Sequence, residues 1–269
     1  MLSKTEAIVL HSIKYGEAKM IVDMFTRQHG RLSFVVSLPK TTRGKLKKQY
    51  FQPLTLLSIE CDLRPQQQLQ KLSDAALLFP LSTILYDPTK LSISLFLSEF
   101  LYHALKSEQH NEPLFNYIIS SIQWLDSCES NYANFHLVFL MHLSRFLGFY
   151  PNLEESGERR VESGERRVER GEWREESGKR RVEGQELYFD LRAACFCTAV
   201  PLHRDYLMPQ EASMVKLMMR MDYPTMHLFR LNRQQRNRCI EVALLFYRIH
   251  LPAFPDLRSI EVLKDLWAV

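Results

Sequence analysis

The chain has 269 residues, 46% of them hydrophobic and 25% charged, with a formal net charge of +4. That much apolar material can bury a core in two compact domains, which excludes a chain disordered throughout. No window approaches the roughly 18 consecutive apolar residues of a membrane helix, and Lys4 and Glu6 stand where a signal peptide needs its apolar core, so no membrane segment is expected and a cytoplasmic location is. Five cysteines, Cys61, Cys128, Cys195, Cys197 and Cys239, are odd in number and scattered, which favours reduced thiols over a disulfide framework.

Three apolar runs open the chain. Ala7–Ile13 breaks at Tyr15-Gly16-Glu17, Ile21–Thr26 ends at His29-Gly30, and Leu32–Leu38 stops at Pro39. Their β-branched content and short glycine turns predict a meander of a small antiparallel sheet. Between Lys40 and Lys48 five positive charges fall in nine residues, and no Asp or Glu occurs from Met24 to Ile59. Arg27, Arg31, Lys40, Arg43, Lys45, Lys47 and Lys48 are therefore candidate contacts for a polyanion. Phe51–Cys61, with Pro53 confined to its start, reads as a fourth strand and Leu69–Phe79 as a fifth. Five strands are what an OB-fold, a partly open barrel, requires. The expected architecture is α+β, with an N-terminal OB-fold barrel over residues 1–80 and an α-helical domain over 81–153 and 187–269.

From Pro80 the periodicity changes. Leu91, Leu95, Ser98 and Tyr102 fall at helical spacing, and Ile93, Phe96, Leu97, Phe100, Leu101 and Ala104 widen the apolar face, which predicts a central helix. Asn111-Glu112-Pro113 offers an N-cap with proline in the first turn of a second helix carrying Leu114, Ile118, Ile122 and Leu125. A third helix is expected from about Ala133 to Leu147, capped by Gly148.

Residues 154–186 contain four near-identical seven-residue units starting at Ser156, Ser163, Arg170 and Ser177. Each offers at most one apolar residue and one glycine, whereas a coiled-coil seam needs two apolar positions per heptad. A solvated, mostly disordered insertion is expected, with a frayed charged helix as the alternative. Glutamates offset its arginines almost one for one, which argues against a nucleic-acid arm.

Beyond it, Glu186–Leu191 reads as a short strand, and Gln210–Met221 as a helix whose Met214, Leu217, Met218 and Met221 fill gaps in a core. A last long helix from about Arg233 to Ile249 aligns Ile240, Ala243, Leu244 and Tyr247. Arg230, Arg233, Arg236 and Arg238 crowd its start with no acid between Asp222 and Glu241. Four cations there oppose the helix dipole, so a phosphate-contact role stands beside the plainer reading of a solvated face.

The chain has no GxxxxGK[ST] loop, no GxGxxG after a strand, no GxSxG elbow and no HExxH. The carboxylate pair Glu154-Glu155 belongs to the charged insertion, so no acid/base pair is nominated and no enzyme is expected. Cys195-Phe196-Cys197 with His203 is the one metal candidate, and its spacing is too tight and its donors too few for the four ligands of structural zinc.

The succession Ile8-Val9-Leu10, Tyr15-Gly16-Glu17, Ile21-Val22, Phe25-Thr26, Gly30-Arg31 and Val35-Val36, followed by a basic loop, resembles the N-terminal domain of the bacterial DNA repair protein RecO family. The resemblance continues at Leu147–Leu153, at Phe189-Asp190 and at Leu257–Leu263, and it does not cover Glu154 to Gln185. It implies an OB-fold that holds single-stranded DNA through phosphates and stacked bases, contact with double-stranded DNA, annealing of complementary strands, and work on DNA coated by single-strand-binding protein. It also implies cooperation with RecR and RecF to load the RecA recombinase. Docking of the acidic, aromatic-ended tail of single-strand-binding protein is expected on the helix bearing Phe135, Phe139, Leu143 and Arg145. Some proteins of that family carry a zinc module with two cysteine pairs. Here Glu154-Glu155-Ser156-Gly157 replaces the first pair and Cys195-x-Cys197 tightens the second, so neither a metal nor any other cofactor is expected. An RNA-binding or ribosome-associated OB protein is the alternative. A nuclease is disfavoured because no carboxylate cluster is present.

Overall fold

The computed structural model describes residues 2–38, 46–64, 66–152 and 187–265; Lys40, Arg43, Lys45 and the repeat segment 154–186 lie outside the described residues. Five strands, β1 (Leu2–Tyr15), β2 (Lys19–Thr26), β3 (Gly30–Ser37), β4 (Leu56–Asp62) and β5 (Leu69–Phe79), close into a barrel in the order β1-β2-β3-β5-β4. β1 serves two neighbours. Its first half pairs with β4, its second half with β2, and a bulge between Val9 and His11 bends it from one partner to the other. β3 and β5 pair in parallel, from Ser33↔Leu69 to Val35↔Lys71, which completes the closure. The barrel is filled by Val9, Met20, Val22, Met24, Phe34, Val36, Phe51, Leu57, Ile59 and Leu72, all buried.

The fourth strand starts later than the sequence suggests. Lys48–Phe51 forms a 3-10 turn, Leu54 adopts φ 58°, and β4 begins only at Leu56. Pro53, which lacks an amide hydrogen, excludes its own position from the ladder, and the aromatic pair before it plugs the barrel end instead.

Helices α1 (Pro88–Ala104), α2 (Glu112–Ser127), α3 (Phe135–Phe146), α4 (Pro209–Met219), α5 (Arg233–His250) and α6 (Ser259–Asp265) build the second unit. Caps set their ends. The Asp87 carboxylate accepts from the amides of Thr89 and Lys90 ahead of α1, and Asn111 accepts from Leu114 ahead of α2. At the end of α3, Gly148 takes φ 84° and the Phe149 amide reaches back to the Ser144 carbonyl, the Schellman arrangement that a glycine at this position permits. A small sheet of β6 (Tyr188–Asp190), β7 (Cys195–Cys197) and β8 (Tyr206–Leu207), in the order β7-β6-β8, packs beside α4. Met218 and Met221 are fully buried, as core gap-fillers should be.

The link from β5 to α1 is locked by one buried acid. Asp126 accepts from the backbone amides of Ser82, Thr83 and Ile84 and from the Ser82 hydroxyl. Burial works to raise its pKa, but those donors outweigh it and hold the carboxyl below the usual range. Lys90, also buried, donates to the Thr83 hydroxyl and to the carbonyls of Asp126 and Cys128.

Barrel and helices share a packed junction. Ala7–Leu10 is buried on both faces, with Ala7 and Val9 turned into the barrel and Ile8 and Leu10 joining Phe96, Phe100 and Phe115 in the helical core. That double burial explains an apolar run without alternation.

Candidate nucleic-acid interface

Farther along the same outward face, beyond the helix contacts, the outward residues of four strands continue from the border with α1 toward solvent. Cross-strand register stacks them in rungs: Tyr15, Lys19 and Ser37; then Ile13, Ile21, Val35 and Lys71; then His11, Asp23, Ser33 and Leu69. The middle rung is apolar across β1, β2 and β3, with Ile13 45% exposed, and ends in Lys71 on β5, while the neighbouring rungs carry Tyr15 at 55% and Leu69 at 40%. Lys19 and Lys71 are exposed on either side. In sequence the basic segment follows β3, and its described members Lys47 and Lys48 are exposed, with the Lys47 ammonium 5.9 Å from the Tyr50 ring. An apolar strip with an exposed aromatic and a border of lysines has the two parts a single strand needs: surfaces for bases and charges for phosphates. Ile13, Tyr15, Lys19, Ile21, Val35, Leu69 and Lys71 were not singled out as site residues from the sequence. Their period-2 alternation beyond the bulge was the available signal.

Arg27 and Arg31, expected to contact a polyanion, are engaged elsewhere. Arg27 chelates Glu6, reaches Glu112 and Asn116 on α2, and lies 4.7 Å from the Phe115 ring centroid. Arg31 donates to the Tyr102 carbonyl at 2.9 Å, sits 4.4 Å from that residue's ring centroid and has Asp23 at 3.6 Å. Gly30 between them has φ 67°, and a Cβ there would stand 2.5 Å from the Gln109 carbonyl carbon. The β2–β3 turn is a latch onto the helical unit, because Arg27 meets Glu112 and Asn116 of α2 and Arg31 meets the carbonyl and ring of Tyr102 on α1.

The arginines around α5 separate likewise. Arg236 is buried and donates to the Asn134 side chain and the Leu231 carbonyl, so it is a core tether and its phosphate role is corrected. Arg238 pairs with Glu211 and Glu241, and Arg233 with Asp265. Arg230 is exposed. A capping box between Asn232 and Gln235 satisfies the first turn of α5, which offsets the cations gathered there.

Phe135, Phe139 and Leu143 are at most 1% exposed, so they are core and do not wall a peptide pocket; only Arg145 of that set reaches solvent, folded over Tyr150. The apolar spacing was read correctly as one helical face, but that face turns inward. An open recess of about 320 Å³ lies instead between the small sheet and α4, lined by Leu187, Phe196, Pro209, Ala212 and Lys216.

The residues at the metal candidate do not fit zinc. His203 Nε2 lies 3.1 Å from Asp190 Oδ2, burial and then the neighbouring Cys195 push the Cys197 thiol up, and among the described residues no three suitable donors converge. Among the described residues no helix is long and apolar enough to cross a membrane.

A five-stranded barrel with one open face, latched through its β2–β3 turn to a helical unit, defines the class: an OB-type barrel protein with a helical partner domain. Family comparison then places the chain. Residues 1–81 match the model for the N-terminal domain of recombination protein O and residues 85–259 that for its C-terminal domain. DNA repair protein RecO of Phocaeicola vulgatus is 45% identical over 268 residues, covering all of both chains. The Bacteroides fragilis protein of that name is 44% identical over 270 residues, and the Azobacteroides pseudotrichonymphae one 33% over 267, each spanning 99% of this chain and all of the relative. The chain belongs to the recombination protein O family.

Proposed function

We propose that this protein acts in DNA repair and homologous recombination as a non-enzymatic mediator. It binds single-stranded DNA along the open barrel face, anneals complementary strands, and helps load the recombinase on DNA coated by single-strand-binding protein, in cooperation with RecR and RecF. The observation that supports this most is the apolar rung Ile13, Ile21, Val35 bordered by Lys19 and Lys71, with the basic segment following β3 in sequence. Every base has a π-face and every nucleotide a phosphate, so such a surface tolerates any sequence. Annealing asks in addition that the repulsion between two polyanions be screened, which the double-stranded product also requires.

Titration of labelled oligothymidylate at several salt concentrations tests the reading. Each phosphate contact with a single strand contributes about 0.7 to the slope of log affinity against log salt. Replacing Lys19, Lys47, Lys48 and Lys71 by alanine should flatten the slope by up to about 3 and weaken binding on all sequences alike. An unchanged slope with the fold intact overturns the placement on this face. Tighter binding of the matching RNA would favour the RNA-binding alternative.

For the tail of single-strand-binding protein, the recess at Leu187, Phe196, Pro209 and Ala212 supplies an apolar floor and Lys216 a cation for a carboxylate. Lys216→Glu should weaken a fluorescent tail peptide severalfold. If instead Arg145→Glu does so and Lys216→Glu does not, docking lies on the α3 side.

A further inference from the structure

The open barrel face carries an acid where a polyanion surface has no use for one. Asp23 sits in the rung next to the apolar one, only 8% exposed. It accepts a hydrogen bond from the Ser33 hydroxyl, its Oδ2 lies 3.7 Å from His11 Nδ1, and its Oδ1 lies 3.6 Å from the Arg31 guanidinium. Arg31 has no freedom to leave: its other nitrogen is bound to the Tyr102 carbonyl, its plane lies over the Tyr102 ring, and its own amide donates to the Glu108 carbonyl. His11 packs on the same ring at 4.6 Å. The result is a fixed cluster of one acid and two basic side chains at the border of barrel and α1, in the rung next to the apolar one.

We propose that Asp23 is a charge brake on the nucleic-acid face: it cancels the field of Arg31 beside the strand path and so keeps a bound single strand releasable. The inference rests on the strand lying along this face. Its functional logic follows from annealing, because a protein that pairs two strands has to let go of each as the duplex forms. A face bearing only lysines would hold single strands against pairing. The position also explains why an acid is tolerated here. Its cost of burial is met by Ser33 and Arg31, while its effect on the outside is to remove a positive charge that the latch to Tyr102 would otherwise leave uncompensated.

Asp23→Asn keeps the shape and the hydrogen bond with Ser33 while removing the charge. In the full-length protein it should bind labelled oligothymidylate roughly three- to tenfold more tightly, as expected for one unit charge at this range in a mostly aqueous field. The gain should appear in slower dissociation, should shrink as salt rises, and should be accompanied by slower annealing of complementary oligonucleotides. Asp23→Ser, smaller and also neutral, should do the same. Unchanged or weaker binding in folded variants overturns the brake, and so does failure of both variants to fold, which would make Asp23 an anchor of the junction. If the wild-type protein binds no oligothymidylate, or the lysine replacements leave binding untouched, the underlying placement fails. If binding is lysine-sensitive while Asp23→Asn is silent, only the brake fails.

Discussion

The two ends of the barrel's outward face are made from the same strands and do opposite work. Toward the helices, Ile8, Leu10 and Phe25 are buried against Phe96, Phe100 and Phe115, and the turn cations Arg27 and Arg31 are bound by acids and aromatic rings. Toward solvent, Ile13 and Tyr15 of the same β1 are exposed, beside Lys19 and Lys71. The bulge at Leu10 lies at the boundary. What distinguishes a structural cation from a ligand-facing one here is therefore what stands opposite it in space. Local charge density in the sequence ranks Arg27 and Arg31 alongside Lys47 and Lys48, yet the arginines close a junction and the lysines stand in solvent.

The largest effect should come from breaking the helix side. Phe25→Ala removes a fully buried ring that lies 5.8 Å from Phe115, and should cost about 3–5 kcal/mol in urea unfolding, as deletions of buried aromatics do. Tyr15→Ala on the solvent side should cost less than about 0.5 kcal/mol. Equal costs would show that the two ends of that face are not different in kind.

Acidification should come next, and it should act on the helical unit. His136 on α3 is fully buried, and burial followed by the Arg236 charge pushes its pKa down to about 3. The folded value lies below the unfolded one of about 6.5, so the folded state resists protonation. Its stability contribution is whole above about pH 6.5 and is lost progressively as pH falls from there toward about 3, by up to about 1.4 kcal/mol per unit. A variant such as His136→Gln should flatten that part of the stability profile. An unchanged profile would place the acid sensitivity elsewhere.

A smaller loss, on the order of 1–3 kcal/mol, is expected for Gly30→Ala, which adds strain at positive φ and a clash with the Gln109 backbone. Because Gln109 lies outside the barrel, hydrogen exchange should quicken in the α1–α2 connection as well as in β2 and β3. Exchange confined to the turn would mean that the latch is not shared. The smallest effect belongs to the open face: Ile21→Thr should leave the thermal midpoint within about 2 °C and yet weaken oligothymidylate binding. A large shift in the midpoint would mark that rung as core.

Much of this was legible in the residues. The five strands, the caps at Asn111 and Gly148 and the core methionines follow from local chemistry, since period, proline and glycine act over a few positions. The small strands β7 and β8 and helix α6 went unseen, being too short for a period to show. Helix α6 depends on a distant acid: the Glu99 carboxylate of α1 accepts from the amides of Arg258 and Ser259 at its start.

By itself the sequence determined the division into a strand-rich first part and a helical remainder, and the presence of a basic segment free of acids. Only the tertiary structure decided which charges remain for a ligand. Pairing in space is set by elements far apart in the chain: Arg27 with Glu112, Arg31 with the Tyr102 carbonyl, Arg236 with Asn134, Arg238 with Glu211. It also decided that Phe135, Phe139 and Leu143 turn inward, because a helix's apolar stripe fixes a face but not what that face meets.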